Sequence, residues 1–179
     1  MIFEETEFEG LYIIKIEKLI DERGYFARSW DEKDFEEKGL NSKLLQCNVS
    51  FNHNKGTLRG MHYQKEPYQE AKLIRCTKGK IFDVVIDLRI NSKNFKKWLS
   101  FELNEENHKM LYVPEGFAHG FQTLEDNTEI FYQMTQKYKP NFASGIKWND
   151  PIFNINWPIK KPILSEKDQK NSDFNQDNI

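Results

Sequence analysis

The stretch from Thr57 to Gln64, Thr-Leu-Arg-Gly-Met-His-Tyr-Gln, contains the residues best suited to chemistry. A guanidinium, an imidazole, a phenol and an amide crowd a short segment that otherwise has the character of a β-strand. The imidazole of His62 can gain or lose a proton near neutral pH, as acid–base catalysis requires. So many hydrogen-bonding groups on one short element indicate a functional site rather than simple packing.

A second motif, Pro114-Glu-Gly-Phe-Ala-His119, lies between two predicted strands and resembles the second sequence motif of the cupin superfamily. Metal-dependent cupins need three or four converging ligands, and their first motif supplies two of the imidazoles. Here Gly60 stands where one of those imidazoles would be, so we expect no metal ion. For His119 two interpretations stay open: a residue of the site, or a buried histidine satisfied by Asp83 or Asp87.

The bulk properties predict one soluble domain over residues 1–170. With 179 residues, a net charge of -2 and a pI near 6.1, the chain has no overall attraction to nucleic acid or to an anionic membrane, although a local basic pocket is compatible with these totals. Two unpaired cysteines, an acidic N-terminus and the lack of a long apolar run favour a cytoplasmic protein with reduced thiols. Residues 171–179 form a polar tail that we expect to fray.

The elements that must position these groups are mostly short strands separated by Asn, Asp, Gly and Pro turns, which predicts an all-β antiparallel sandwich or barrel. A short helix is predicted over Glu32 to Lys38, with Asp31 as N-cap and Gly39 just after its end. Residues 71–89 are predicted to form a long hairpin that turns at Lys78-Gly79. Alternation in its second arm predicts one core face and one polar face carrying Asp83 and Asp87.

Several segments together resemble one family, the dTDP-4-dehydrorhamnose 3,5-epimerases. They are Asp21-Glu-Arg-Gly-Tyr-Phe26, Gly56-Thr-Leu-Arg-Gly-Met-His-Tyr-Gln64, Ala71-Lys-Leu73, Val113-Pro-Glu-Gly-Phe-Ala-His-Gly-Phe121, Tyr138-Lys-Pro140, Trp148-Asn-Asp-Pro151 and Leu164-Ser-Glu-Lys-Asp168. The resemblance implies an all-β, cupin-type jelly-roll barrel of antiparallel strands with a few short peripheral helices. It also implies a nucleotide-linked 4-keto sugar as substrate, no metal or other cofactor, and a homodimer that exchanges N-terminal strands.

The implied reaction inverts carbons beside a ketone. A 4-keto group makes the hydrogens on C3 and C5 acidic, and inversion needs a base, a positive group at the developing enolate oxygen, and an acid on the opposite face. By resemblance His62 is the base, Asp168 its partner, Tyr132 the acid and Lys72 the group at the ketone oxygen. Asp168 also fits a helix-capping pattern that begins at Ser165, and both roles can hold together. By strand propensity alone Tyr132 would be an ordinary strand aromatic, and Lys72 an ordinary solvated lysine.

The resemblance also assigns the residues that bind the substrate. Arg23 and Arg59 are expected to hold the diphosphate, Tyr138 to stack on the nucleobase, and the remaining substrate contacts to come from Arg28, Gln46, Asn48, His119 and Lys167. Strict alternation places Arg59 on the strand face opposite His62, a conflict that a bulge at Gly60 would relieve.

Two positions depart from the family pattern. Arg28 and Ala143 stand where the family usually has glutamates that contact the nucleotide or the sugar. These changes leave open which nucleotide and sugar are used and whether one centre or two are inverted. A single-centre epimerase, an epimerase of another nucleotide sugar, and a cupin that binds a sugar or nucleotide without catalysis are therefore the alternatives.

Overall fold

The computed structural model describes residues 1–179 apart from the side chain at position 178, and the described chain is dominated by β-strands. The strands are β1 (Ile2–Glu5), β2 (Tyr12–Lys15), β3 (Leu19–Asp21), β4 (Gly24–Phe26), β5 (Gln46–Asn52), β6 (Leu58–Gln64), β7 (Lys72–Lys78), β8 (Lys80–Asp87), β9 (Trp98–Asn104), β10 (Met110–Val113), β11 (Phe117–Thr123), β12 (Thr128–Met134) and β13 (Ala143–Gly145). The helices are α1 (Glu32–Glu37) and α2 (Glu166–Gln169), with a short 3₁₀ turn at Gln176–Asn178.

Two antiparallel sheets pack face to face. One has the strand order β1-β2-β10-β7-β12-β5 and the other the order β13-β6-β11-β8-β9. Ile74 and Ile130 of the first sheet meet Val85, Leu103 and Phe121 of the second in a buried apolar cluster. Because consecutive strands often lie in different sheets, the arrangement is the jelly-roll form of an all-β fold, and the predicted fold class is confirmed.

The predicted hairpin over residues 71–89 is wrong. Strand β7 pairs with β10 and β12, whereas β8 pairs with β9 and β11, so the two strands belong to different sheets. Gly79, with φ +74°, turns the chain from one sheet into the other. A tight Lys-Gly turn is compatible with a hairpin and with a crossover between two sheets. Which of them forms depends on pairing with distant strands, which the local sequence does not reveal.

The polar face predicted for β8 is also wrong, because both faces of this strand are buried. Asp83 and Asp87 are inaccessible to solvent and are paired with His119 and Arg89 instead. The opposite face, with Val84 and Ile86, is covered by residues 146–164 and not by water. Alternation of polar and apolar residues indicated two different faces correctly, but the carboxylates point inward because each has a cationic or imidazole partner there.

Residues 146–164 form this cover, and the C-terminal tail continues it. Trp157 and Phe153 pack against β8 in a second apolar cluster. Phe174 stacks edge-on against Phe153, with ring centroids 5.4 Å apart, and its backbone N–H donates to Asp150. The first half of the tail that we expected to fray is thus held by Phe174, and also by Lys147, whose backbone N–H donates to the carbonyl of Ser172.

Helix α1 follows its sequence signals closely. Asp31 caps it by accepting from the backbone N–H of Lys33, Phe35 is buried on its inner face, and Gly39 has φ +69° just beyond its end. Across the described residues, no helix combines the length and the apolar character needed to cross a bilayer.

Strands β3 and β4 pair only with each other, in a small sheet beside the sandwich. Four apolar or aromatic side chains of this hairpin are largely exposed: Leu19, Ile20, Tyr25 and Phe26. The hairpin therefore offers an apolar surface that its own chain leaves uncovered.

Candidate active site

A cavity of about 610 Å³ opens between the two sheets. It is lined by Gln46, Asn48, Val49, Arg59, His62, Tyr63, Gln64, Glu70, Lys72, His119, Phe121, Tyr132, Met134, Tyr138, Ala143, Ser144, Ser165, Lys167 and Asp168. Most of the residues selected from the sequence therefore meet in one place, although they come from five strands, a loop and a helix.

His62 and Asp168 form a pair on one wall of the cavity. The Nε2 atom of His62 lies 2.6 Å from a carboxylate oxygen of Asp168, although 106 residues separate the two in sequence. Asp168 is buried, whereas the His62 side chain is 40% exposed and faces the cavity. An ionised carboxylate can only accept, so Nε2 carries the proton and Nδ1 keeps a free lone pair.

Helix α2 supplies Asp168 in a way that reconciles both interpretations of this residue. Ser165 is the N-cap, and its hydroxyl accepts from the backbone N–H of Asp168 at 3.1 Å. The capping bond is made by the backbone N–H of Asp168, so its carboxylate is also available to His62. Burial raises the pKa of the Asp168 carboxyl, but His62, Ser165 and the backbone of Gly60 together outweigh burial and hold that pKa below its ordinary value.

Replacing Asp168 with asparagine is expected to destabilise the fold in a pH-dependent way. Because the folded-state pKa is lowered, the ionised carboxylate contributes stability above its ordinary pKa of 3.8, and that contribution disappears as the pH falls through the folded value. We expect a loss of about 1–3 kcal/mol at pH 7. Thermal melting of both proteins between pH 7 and pH 2 should show a gap in Tm that stays constant down to about pH 4 and narrows below it. A gap that stays constant over the whole range would contradict this account, and Asp177→Asn, at an exposed site, is the control.

A bulge in β6 brings Arg59 to the same cavity as His62. Where β6 pairs with β11, His62 lies opposite His119 and Arg59 lies opposite Phe121. Three residue positions along β6 therefore match two along β11. The extra residue reverses the alternation, and Arg59 turns to the cavity side, as the bulge hypothesis predicted. Gly60 makes this possible: its φ is +150°, and a Cβ atom there would lie 2.6 Å from Cα of Gly120.

Replacing Gly60 with alanine should therefore damage stability and activity together. The backbone conformation alone costs a residue with a side chain about 1–3 kcal/mol, and the clash with the Gly120 backbone has no rotamer that relieves it. Gly39→Ala is the matched control, because Gly39 also has positive φ but has open space around its would-be Cβ. We expect a larger drop in Tm for Gly60→Ala and loss of turnover in that variant alone. Equal Tm values and full turnover would contradict the importance of the bulge.

Tyr132 and Lys72 lie on the other wall, in the six-stranded sheet. Tyr132 stands opposite Asn48 of β5 and Ile74 of β7, and Lys72 is two residues before Ile74. Because residues two apart on a strand share a face, the side chains of Tyr132, Asn48 and Lys72 all lie on the cavity face. Burial raises the pKa of the Tyr132 phenol, and Glu70 adds to that effect while Arg59 opposes it, so the phenol stays protonated at neutral pH.

His119 satisfies both interpretations that the sequence left open. It lines the cavity, and its Nε2 lies 2.9 Å from the carboxylate of Asp83. Burial raises the pKa of Asp83, while His119 and Lys72 act against that shift. Within the part of the chain whose side chains are described, no group of three or more His, Cys, Asp or Glu residues is arranged to hold a metal ion.

The predicted nucleotide contacts are divided between the cavity and the hairpin. Gln46, Asn48, Tyr138 and Lys167 line the cavity with Arg59, whose Nε donates to Asn52 at 2.8 Å. Arg23 and Arg28 do not reach it within this chain. Arg23 is paired with Asp21 at the tip of the β3–β4 hairpin, and Arg28 with Asp31 beside α1.

Sequence reasoning missed some lining residues, of which Glu70 is the most notable. Its carboxylate is 9% exposed and lies 3.1 Å from Nζ of Lys72. Glu70 and Lys72 are two residues apart, so the alternation of an extended chain could have placed them side by side. Ala143 does line the cavity, which means that no carboxylate projects from this position.

Comparison with known proteins adds independent evidence. The sequence profile described as dTDP-4-dehydrorhamnose 3,5-epimerase matches residues 5–176. A protein of that name from Sinorhizobium fredii is 43% identical over 94% of this chain and 87% of its own length. The crystal structure of the enzyme of that name from Elizabethkingia anophelis is 41% identical, with a TM-score of 0.96 over 100% of this chain and 99% of its own.

A further solved relative carries a ligand. The dTDP-6-deoxy-D-glucose-3,5-epimerase of Legionella pneumophila, crystallised with dTDP-4-keto-L-rhamnose, is 35% identical, with a TM-score of 0.89 over 96% of this chain and 91% of its own. The cavity that unites His62, Asp168, Tyr132 and Lys72 thus occurs in a chain that is similar to these enzymes along nearly its whole length. The chain belongs to the dTDP-4-dehydrorhamnose 3,5-epimerase family.

Proposed function

We propose that this protein is an isomerase that acts on a dTDP-linked 4-keto-6-deoxy sugar and inverts C3 and C5 through enolate intermediates. One observation carries the proposal: a histidine of one sheet, paired with an aspartate of helix α2, and a protonated tyrosine of the other sheet line the same cavity. A base and an acid on opposite walls match what inversion at carbon requires. A site that only bound a sugar would have no need of both groups.

His62 is the proposed base. Its Nδ1 lone pair takes the hydrogen from the carbon beside the ketone, while Nε2–H keeps its hydrogen bond to Asp168. The ionised carboxylate fixes the ring orientation and stabilises the imidazolium that forms. The C–H electron pair moves into the ring carbon–carbon bond, and the ketone oxygen becomes an enolate oxygen.

Lys72 and Tyr132 complete the exchange. The ammonium of Lys72 stabilises the negative charge on the enolate oxygen. The Tyr132 phenol then donates its proton to the other face of the carbon, which gives the inverted centre. After one inversion His62 holds an extra proton and Tyr132 lacks one, so water at the open cavity must restore both before the second carbon reacts.

Arg59 and Lys167 are proposed to hold the diphosphate, because both place a cation at the cavity. A guanidinium offers paired donors to phosphate oxygens, and an ammonium adds a point charge. The ring of Tyr138, half exposed beside the backbone contact to Gln46, is suited to stack on the nucleobase. Gln46 and Asn48 supply amide donors and acceptors. Ala143 leaves its part of the wall uncharged.

We further propose that two copies associate through their N-terminal hairpins. The exposed apolar surface of Leu19, Ile20, Tyr25 and Phe26 supports this, since such a surface is stabilised by a partner. Docking on a second copy would also carry Arg23 and Arg28 toward that copy's cavity, where the family resemblance assigns them. Sedimentation or light scattering should give twice the chain mass of 21.4 kDa, whereas a mass equal to one chain at micromolar concentration would contradict the dimer.

A cytoplasmic location is proposed as well. Cys47 and Cys76 are both free thiols, one exposed and one buried, which is compatible with a reducing compartment. Fractionation of cells that produce the protein at its native level would test this.

The substrate assignment is tested with a panel of 4-keto-6-deoxy sugars carried on dTDP, UDP and GDP. Product configuration at C3 and C5 is read by NMR. We expect conversion of the dTDP sugar at the highest kcat/KM and inversion at both carbons. Inversion at one carbon would favour a single-centre epimerase. A preference for UDP or GDP would show that the substrate carries another nucleobase. Tight binding without conversion would favour a non-catalytic cupin.

A further inference from the structure

Glu70 lies just before β7 and reaches into the cavity. One of its carboxylate oxygens lies 3.1 Å from Nζ of Lys72, and the other accepts from Nε2 of Gln64 at 3.1 Å. Both charged side chains are about one-tenth exposed or less. Each oxygen of Glu70 therefore has a defined partner, so the carboxylate is held on two sides.

Gln64 anchors Glu70 to the rest of the cavity wall. Its Nε2 also donates to the backbone carbonyl of Tyr68 at 2.9 Å, and its Oε1 accepts from the backbone N–H of Lys139 at 2.6 Å. Lys139 follows Tyr138, the residue proposed to stack on the nucleobase. The network therefore joins the wall that bears Lys72 to the loop that bears Tyr138.

We propose that Glu70 is a positioning residue that holds the Lys72 ammonium at the ketone oxygen and sets the charge balance around Tyr132. This inference rests on the proposed function, because it concerns the same reaction. It adds a residue to the machinery that neither the motifs nor the family resemblance indicated.

The physical need for such a residue follows from the nature of lysine. Its ammonium is a compact charge on a flexible four-carbon stem, so an unanchored Lys72 would sample many positions. A buried cation without a partner is also strongly unfavourable. Glu70 meets both requirements: it compensates the charge, and its own rigid attachment through Gln64 fixes where the ammonium lies.

Glu70 also acts on the charge balance that Tyr132 experiences. The titratable groups that line the cavity with Tyr132 are Arg59, His62 and Tyr63 of β6, Glu70, Lys72 of β7, His119 of β11, Tyr138, and Lys167 and Asp168 of α2. Arg59 lowers the pKa of Tyr132, while Glu70 raises it and so supports the protonated phenol. Without the negative charge of Glu70, the positive charge of Arg59 would lower the pKa of Tyr132 further, and the phenol would ionise at a lower pH.

The test uses Glu70→Gln in the full-length protein, assayed for inversion of dTDP-4-keto-6-deoxyglucose across a range of pH. We expect kcat to fall about 10- to 100-fold with little change in KM, since the loss is one of geometry at the reacting oxygen. The pH at which activity declines on the alkaline side should move to a lower value. Glu70→Asp, which keeps the charge, should restore the wild-type alkaline limit even if kcat recovers only in part. Glu106→Gln removes a carboxylate at an exposed turn and should match the wild type in both readouts.

The outcomes separate the inference from the proposed function. If the wild-type protein inverts no substrate, the proposed function fails. If the wild type is active and Glu70→Gln keeps its kcat and its alkaline limit, the positioning role is overturned. A variant that loses activity only in proportion to a lowered Tm, with no change in alkaline limit and no rescue by aspartate, also overturns it, because a residue that only stabilises the fold would behave in this way.

Discussion

Replacing His62 with alanine is expected to reduce the rate of carbon–hydrogen exchange by about 10²–10⁴-fold, the range that a positioned general base contributes. The side chain of His62 faces the cavity with a free Nδ1, and its Nε2 is held by the buried carboxylate of Asp168. No other imidazole or carboxylate on that wall is so arranged among the described side chains, since His119 is held by Asp83. The loss should appear in kcat much more than in KM, because a small proton acceptor contributes little to binding.

The measurement is deuterium uptake from D₂O into the sugar, followed by NMR. His53→Ala is the matched control, because His53 is exposed and lies outside the cavity. The control should exchange at the wild-type rate. Exchange by His62→Ala within about threefold of wild type, at equal Tm, would show that another group is the base, since that is far below the effect of a general base.

Replacing Tyr132 with phenylalanine is expected to separate proton exchange from inversion. The change removes only the hydroxyl, and the ring still fills its place between Asn48 and Ile74. His62 can still remove a hydrogen and return it to the same face, so deuterium should enter with the original configuration retained. Inversion should slow by about 10²-fold or more, because no positioned acid remains on the other face.

The readout is the ratio of deuterium uptake to inversion in the same sample. Wild-type protein should show the two together, and Tyr132→Phe should show uptake in excess. Phe131→Leu on the same strand, at a position outside the cavity lining, is the control for damage to β12. If Tyr132→Phe inverts the sugar at the wild-type rate, the acid lies elsewhere.

Because burial and Glu70 raise the pKa of Tyr132 above the ordinary tyrosine value of 10, the phenol should stay protonated, and wild-type activity should persist, up to at least pH 10.

Local signals predicted the local features well. The Asp31 cap, the Gly39 position after α1 and the bulge at Gly60 all depend on backbone geometry that neighbouring residues determine. Strand pairing was less predictable: the Lys78-Gly79 turn connects two sheets, although its sequence is equally suited to a hairpin. The fold class could be predicted from many short strands, but which strands pair depends on packing between distant segments.

The candidate site required information of another kind. His62 and Asp168 are 106 residues apart, and no local pattern joins them, so only the family resemblance paired them before the structure placed them 2.6 Å apart. Glu70 was missed because it lies just outside the family-like segment Ala71-Lys-Leu73, although alternation along the chain could have placed it beside Lys72. Arg23 lies at the tip of the β3–β4 hairpin and Arg28 beside α1, so this chain by itself brings neither residue to the cavity.

The central claim is that one cavity inverts both carbons beside the ketone of a dTDP sugar. Its most direct test is incubation of the wild-type protein with dTDP-4-keto-6-deoxyglucose in D₂O, with deuterium located by NMR. We predict deuterium at both C3 and C5 of the inverted product, and uptake about 10²–10⁴-fold slower at both carbons when His62→Ala replaces the wild type. Wild-type product with deuterium at only one carbon or at neither carbon, or uptake by His62→Ala within about threefold of the wild-type rate, would contradict it.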